Sequence, residues 1–256
     1  MGRKIGWVDG KDNIAIVRYS SDGNIIPIEG DAIANNLKIN GSLYVLSPIN
    51  GSLYARNAEI GEVLEMGNAK IGGAVYAENA EIGELYASDA EIGALVDLEN
   101  AKIGKKLIVG NVKIGGALHM AGIKIGGWLN AEDAKIWGWL YAKNAEIEGG
   151  LNAKNAKIGG TLDIEDGKIG EEMNVENTKI GEWLDISYAK IPELITSRNT
   201  EFKTINLKGT EIEKFKGEFP KINDWQYLVD ENTELPDSLT KQLPHYEEVY
   251  KRAFRV

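Results

Sequence analysis

The chain has no cysteine, only two histidines and only six prolines among its 256 residues. Without cysteine it has no disulfides, thiolate metal ligands or cysteine nucleophiles. Two histidines supply few ligands for a zinc site and few candidates for the histidine of a catalytic triad. From this shortage, and from the absence of long loops considered below, we expect no catalytic residue, no metal site and no cofactor.

Long apolar runs are also absent. No stretch approaches the roughly 18 apolar residues that cross a bilayer, and the N-terminal residues become polar before a signal-peptide core could form. We therefore expect a cytoplasmic protein that does not enter a membrane. The 29 basic and 39 acidic residues give a net charge of −10, which argues against direct binding to nucleic acid.

Glycine, in contrast, is abundant: 30 residues is nearly twice the usual share of about 7%. The glycines belong to an eleven-residue repeat in which isoleucine recurs, with one ten-residue step from Ile82 to Ile92. Weaker units extend the array over residues 28–222. The anchor isoleucines are Ile60, Ile71, Ile82, Ile92, Ile103, Ile114, Ile125, Ile136, Ile147, Ile158, Ile169, Ile180 and Ile191.

The repeat predicts strands rather than helices. Glycine follows nearly every anchor isoleucine, and asparagine precedes most of the alanines that lie two residues before an anchor isoleucine. This density of helix breakers excludes a coiled coil of period eleven. Each unit alternates Ala, Ile, Leu and Ala inward over two short sides. Two units would close one four-sided coil of about 22 residues, with glycine and asparagine supplying positive φ at the corners. The prediction is an all-β parallel β-helix, or β-solenoid, whose coils bury one another.

The unit Ala-Lys-Ile-Gly-Gly, with a small residue two positions before a central aliphatic residue, resembles the pentapeptide repeat. That resemblance implies a right-handed, four-sided helix. The longer pattern is also similar to the bactofilins, which are polymer-forming cytoskeletal β-helices. The resemblance covers about three quarters of the chain, and it implies a filament, an adaptor or a DNA mimic.

The segments outside the array are predicted to be caps. Residues 1–27 are expected to form an N-terminal β-hairpin cap, from Lys4–Val8 and Asn13–Tyr19. Residues 28–222 form the predicted solenoid. Residues 223–256 are expected to form an α-helical cap, with Asp237 or Ser238 as its N-cap and an interruption at Pro244. The helix is expected to run through Leu239, Leu243, Tyr246, Val249, Tyr250 and Phe254.

The outward columns are the candidate sites, because residues 22 apart should stack. One column is a candidate anion-binding stripe, and a second is a candidate ligand patch in which aromatic and acidic groups could stack on sugars. In the alternative interpretation both are ordinary solvated faces, with Glu132, Glu165 and Glu176 compensating the lysines. The stripe comprises Lys113, Lys135, Lys157 and Lys179, and the patch comprises Tyr76, Asp97, His119, Tyr141 and Asp163.

Two other sets of outward residues have structural interpretations. Asn130, Asn152 and Asn174 predict an amide ladder between coils. Tryptophans precede the inward leucine at a corner, where they could shield the coil edge or mark an interaction patch; they are Trp128, Trp139 and Trp183.

The leading functional hypothesis is a non-enzymatic scaffold or protein-interaction module that binds a protein partner or assembles with itself. Units of ten or eleven residues leave no long loops to wall a catalytic cleft. Two alternatives stay open. One is an acidic, pentapeptide-like DNA mimic that inhibits a nucleic-acid-binding protein, and the other is a carbohydrate-binding or carbohydrate-active β-helix.

Overall fold

The structure is a computed structural model that describes residues 4–7, 12–220, 227–246 and 248–249. It contains many short strands and one short helix. In chain order they are β1 (Lys4–Trp7), β2 (Ile14–Val17), β3 (Ala32–Ile33), β4 (Lys38–Ile39), β5 (Leu43–Val45), β6 (Leu53–Tyr54), β7 (Glu59–Glu65), β8 (Lys70–Ile71), β9 (Val75–Tyr76), β10 (Glu81–Tyr86), β11 (Glu91–Ile92), β12 (Val96–Asp97), β13 (Lys102–Ile103), β14 (Leu107–Ile108), β15 (Lys113–Ile114), β16 (Leu118–His119), β17 (Lys124–Ile125), β18 (Leu129–Asn130), β19 (Lys135–Ile136), β20 (Leu140–Tyr141), β21 (Glu146–Ile147), β22 (Leu151–Asn152), β23 (Lys157–Ile158), β24 (Leu162–Asp163), β25 (Lys168–Ile169), β26 (Glu172–Asn174), β27 (Lys179–Ile180), β28 (Trp183–Asp185), β29 (Lys190–Thr196), β30 (Thr204–Asn206), β31 (Glu211–Gly217), β32 (Tyr227–Leu228) and α1 (Asp237–Thr240).

The strands stack in four parallel columns, one for each side of the coil. The first side contains β13, β17 and β21, the second β14, β18 and β22, the third β15, β19 and β23, and the fourth β16, β20 and β24. Ile114 pairs with Ile136, which is 22 residues further along the chain. The structure thus confirms the predicted all-β parallel β-helix with coils of about 22 residues.

The core is a single apolar column inside the coils. The isoleucines and leucines expected to point inward are each at most 2% exposed: Ile103, Leu107, Ile114, Leu118, Ile125, Leu129, Ile136, Leu140, Ile147, Leu151, Ile158 and Leu162. Full burial of one such side chain contributes roughly 1.5–3 kcal/mol. Ala131, Ala134, Ala142 and Ala145 are fully buried between them, which keeps the interior narrow.

Asparagine and aspartate form the left-handed corners. Asn57, Asn144 and Asp166 have φ values of 54°, 58° and 57°, and the same conformation recurs in almost every coil. These residues tolerate positive φ because their short polar side chains form local hydrogen bonds. Some of the amides also bond between coils, since Asn57 Nδ2 donates to Asn36 Oδ1 at 3.2 Å.

The glycine after the anchor isoleucine has a different role from the predicted one. Gly115 and Gly159 are not among the residues with positive φ, so the expectation that this glycine supplies the turn conformation is wrong. A Cβ on Gly115 would instead overlap the carbonyl oxygen of Gly93 in the preceding coil, and a Cβ on Gly159 would overlap that of Trp137. Glycine is needed here because the backbones of successive coils approach closely.

The N-terminal hairpin is confirmed. β1 pairs antiparallel with β2, with Lys4 opposite Val17. β2 pairs in turn with β5 in parallel, with Ile14 opposite Leu43. The hairpin therefore covers the start of the second side.

The C-terminal helix is interrupted near Pro244, as predicted, and helical conformation recurs at Tyr246, Glu248 and Val249. α1 has four residues, and its N-cap is Pro236, not Asp237 or Ser238. The chain turns at Pro244, as expected, and part of the predicted helix, including Tyr250 and Phe254, lies outside the described residues. Leu239 and Leu243 are buried against the last coil, and Tyr227 Oη donates to the Pro244 carbonyl at 2.6 Å.

The helices within the described ranges include none with the length and apolar character needed to cross a membrane.

Candidate binding surfaces

The four lysines of the predicted stripe do stack on the third side, in register from β15 to β27. The outer two are ion-paired, with Lys113 Nζ at 2.6 Å from Glu91 and Lys179 Nζ at 2.7 Å from Glu201. Lys135 and Lys157, between them, have no acidic partner within the described part of the chain. Two adjacent cations thus remain uncompensated at the middle of the stripe.

The same position on the first side shows the opposite arrangement, because the lysines there pair with glutamates of the same column. Lys102 Nζ lies 2.6 Å from Glu81, and Lys124 Nζ lies 2.8 Å from Glu146. The hydrogen bond and charge of Lys102 lower the pKa of Glu81, and the same contact raises the pKa of Lys102. The first side is therefore largely neutralised, whereas the middle of the third side is basic.

The acidic residues expected to compensate the lysine stripe are engaged elsewhere. Glu165 pairs with Lys143 at 2.7 Å, and Glu176 pairs with Lys154 at 3.1 Å. Glu132 accepts a hydrogen bond from Asn152 Nδ2 at 3.3 Å. That expectation is wrong, because these residues lie beside different columns from the lysines.

Three exposed tryptophans lie at the corner between the third and fourth sides. Trp137 is 63% exposed, Trp139 52% and Trp183 42%. Trp137 and Trp139 follow Lys135 around the turn from β19 to β20, and Trp183 begins β28 two coils further on. We call the surface formed by Lys135, Lys157, Trp137, Trp139 and Trp183 the tryptophan corner.

Glycines make room for some of the indole rings. A Cβ on Gly160 would overlap the ring of Trp139, which leans over the next coil. Trp128, at the equivalent corner between the first and second sides, is half-buried over Gly150. The sequence identified Trp139 and Trp183 but missed Trp137, although a tryptophan in place of the usual glycine after the anchor isoleucine was a visible signal.

A shallow groove adjoins the tryptophan corner. It has a volume of about 550 Å³ and extends along the third side past Lys70, Glu91 and Lys113 to Trp137. The equivalent groove on the first side has about 750 Å³, and the charged residues that line it include Lys38, Glu59, Glu81 and Lys102. Both follow from the glycines after the anchor isoleucines, which leave the coil edges without side chains.

The five residues of the predicted ligand patch lie in one column on the fourth side, on β9, β12, β16, β20 and β24. His119 Nδ1 is 3.2 Å from Asp97 Oδ1, and the His119 and Tyr141 rings are 5.2 Å apart. Tyr76 stacks on Tyr54 at 5.0 Å. The sequence missed Arg56, whose guanidinium lies 4.2 Å from the centre of the Tyr76 ring.

The aspartates and asparagines of these columns have a local structural role. Asp163 Oδ1 accepts the N–H of Glu165 at 2.9 Å, and Asn130, Asn152 and Asn174 each bond the N–H two residues on in the same way. Of the predicted amide ladder, one bond is present, from Asn152 to Asn130 at 3.4 Å. The ladder prediction is therefore confirmed for the step from Asn152 to Asn130 only, because the turn N–H is the nearer partner of each amide oxygen.

No family model, curated protein or solved structure matches this chain. The surfaces themselves therefore carry the functional argument.

Asp163→Asn should stabilise the protein at neutral pH. Burial raises the pKa of the Asp163 carboxyl, the charge of Asp185 adds to this, and the hydrogen bond from Glu165 opposes it. Because the folded state then holds the proton more tightly than the unfolded state, the carboxylate costs stability as the pH rises through its folded pKa. Asparagine keeps the hydrogen bond without ionising, as Asn152 shows.

Thermal melts at pH 7 and pH 3 check this expectation. The variant should melt higher than the wild type at pH 7, and the difference should disappear below the ordinary aspartate pKa of about 3.9. A variant that melts lower than the wild type at pH 7 would contradict the role assigned to burial.

Proposed function

We propose that the protein is a non-enzymatic β-solenoid module that binds an acidic protein partner at the tryptophan corner. The observation that carries the proposal is the combination of three exposed tryptophans with two lysines that lack an acidic partner in the described ranges. Tryptophan is enriched among the residues that dominate binding energy at protein interfaces. Clustered exposed apolar side chains are typical of interaction sites.

Charge complementarity supports an acidic partner. Lys135 and Lys157 stack at the strand spacing of about 4.8 Å, so their like charges repel, and an acidic segment placed between them would relieve that repulsion. The corresponding position on the first side has neutralised its charges within the chain. The third side is thus the one that gains from an external anion.

The covered ends favour a discrete module over a filament subunit. Filaments of solenoids need bare terminal coils that can stack on one another. Here the hairpin of β1 and β2 extends over the start of the second side, and Leu239 and Leu243 pack on the last coil. We therefore favour partner binding through the side of the rod.

The other hypotheses have weaker support. A DNA mimic needs a continuous negative stripe, and lysines on both the first and the third sides interrupt it. Sugar binding at the ligand patch would need open aromatic faces, but Arg56 lies over Tyr76 and His119 lies against Tyr141.

Partner capture tests the proposal. The immobilised chain is incubated with lysate of the source organism, bound proteins are quantified by mass spectrometry, and the affinity of the purified candidate is then measured. Trp137→Ala combined with Trp139→Ala, and Lys135→Gln combined with Lys157→Gln, should each weaken binding at least tenfold.

Lys102→Gln combined with Lys124→Gln is the matched control, because these lysines hold the same repeat position on the first side. The control should bind like the wild type. A partner that binds both corner variants at wild-type affinity would refute the proposal, and so would nucleic acid captured in place of protein.

A further inference from the structure

We propose a binding site for a divalent transition-metal ion, such as Zn²⁺, on the fourth side, formed by Asp97, Glu99 and His119. One ligand atom from each of these three side chains lies within 4.8 Å of the other two. The inference does not depend on the proposed partner, since the site lies on a different set of residues from the tryptophan corner.

The register of the solenoid brings the three ligands together. Asp97 on β12 is paired directly with His119 on β16, and both side chains point outward. Glu99 follows Asp97 at the next outward position of the same coil. The two residues contributed by one coil and the single residue contributed by the next would be joined by one ion.

Two of the ligands are held in place by their neighbours. The Asp97 carboxylate accepts the N–H of Glu99 at 3.1 Å, and its side chain is 17% exposed. The His119 imidazole lies between Asp97 and the ring of Tyr141, and its side chain is 30% exposed. Such partly desolvated, supported ligands bind a cation more tightly than freely rotating ones.

The distances suit zinc after a small movement of one side chain. Ligand atoms at about 2.1 Å from a tetrahedral zinc ion lie about 3.4 Å from one another. His119 Nδ1 and Asp97 Oδ1 are already 3.2 Å apart. Glu99 has to close the remaining distance, and it has the freedom to do so because its side chain has no cationic partner among the described residues.

The glutamates at the position of Glu99 in other coils do have cationic partners in the described part of the chain. Glu78, one coil before, pairs with Arg56 at 2.9 Å, and Glu165 pairs with Lys143 at 2.7 Å. The residue that stacks on Glu99 from the next coil is Ala121, which offers neither charge nor bulk. Glu78 also has one buried carboxylate oxygen, Oε2, without a hydrogen bond. The surroundings of Glu99 therefore hold more negative than positive charge.

The ligand chemistry selects the class of metal. One imidazole nitrogen and two carboxylate oxygens suit zinc and neighbouring first-row ions, whereas calcium and magnesium prefer oxygen ligands throughout. Three protein ligands leave a fourth coordination position for water. Because the ion joins two coils in the folded state alone, its binding should also raise the melting temperature.

Isothermal titration of the full chain with ZnCl₂, together with thermal melts, tests the site. The wild type should bind one Zn²⁺ with a micromolar Kd and melt higher with zinc than without it. His119→Gln and Glu99→Gln should each weaken binding at least tenfold and remove the zinc-dependent rise in melting temperature. His245→Gln, which replaces the other histidine of the chain, is the matched control and should bind like the wild type.

Circular dichroism of each variant without metal separates loss of the site from loss of the fold. Tight zinc binding that survives both His119→Gln and Glu99→Gln would overturn the proposal. It would equally be overturned by binding that is lost in His245→Gln, by a preference for CaCl₂ over ZnCl₂, or by a wild type that binds no zinc at millimolar concentration.

Discussion

Ile136→Asp should strongly destabilise the solenoid, whereas Lys135→Asp, one residue earlier, should leave its stability almost unchanged. Ile136 is 2% exposed and stacks between Ile114 and Ile158. An aspartate there would bury an unpaired carboxylate, at a cost of about 4–5 kcal/mol. Lys135 points outward between Lys113 and Lys157, so an aspartate at that position gains two cationic neighbours.

Urea unfolding followed by circular dichroism measures both effects. The unfolding free energy of Lys135→Asp should lie within about 0.5 kcal/mol of the wild-type value, while that of Ile136→Asp should be lower by about 4–5 kcal/mol. Because both variants introduce the same side chain, the difference reports the inward or outward direction of adjacent residues. Equal stabilities of Ile136→Asp and the wild type would show that the strand register described above is wrong.

Gly217→Ala should detach the C-terminal segment that covers the last coil. Gly217 ends β31 with φ at 94°, and a Cβ there would overlap the carbonyl oxygen of Thr196. The next residue, Glu218, accepts a hydrogen bond from Thr196 Oγ1 at 3.0 Å. Alanine would combine a left-handed backbone penalty with a steric clash, at a total of about 2–4 kcal/mol.

Gly30→Ala separates these two causes. Gly30 has φ at 90°, but a Cβ there would meet nothing within 4 Å, so its cost should be about 1 kcal/mol from backbone strain alone. Hydrogen exchange followed by mass spectrometry should show faster exchange in residues 227–246 for Gly217→Ala and unchanged exchange there for Gly30→Ala. Similar protection of that segment in both variants would refute the role assigned to the close contact with Thr196.

The fold could be predicted from the sequence because the same apolar residues recur at fixed spacing throughout the core. Isoleucine and leucine at fixed spacing must all face the same interior, and residues such as Ile136 and Leu140 can therefore be placed without coordinates. The role of Gly115 could not be predicted in this way. Glycine is required at position 115 because two coils lie close together there. The sequence alone does not distinguish a close approach of two backbones from a positive φ.

The candidate sites were predictable as columns but not as contacts. Stacking of Lys135 on Lys157 follows from the 22-residue period, and so does that of His119 on Asp97. The glutamate that a lysine contacts depends on the direction of both side chains and on the local register. The register changes along the chain, since one ten-residue step makes the coil from Ile82 to Ile103 one residue shorter. Trp137 breaks the repeat pattern by replacing the usual glycine after Ile136, but its 63% exposure at the tryptophan corner is seen only in the structure.

Multi-angle light scattering during size-exclusion chromatography, over a hundredfold range of concentration, tests the central claim most directly. A closed module with covered ends should elute as one species whose molar mass does not change with concentration. A mass that grows with concentration, or filaments in electron micrographs of the same samples, would contradict the account and favour a self-assembling protein.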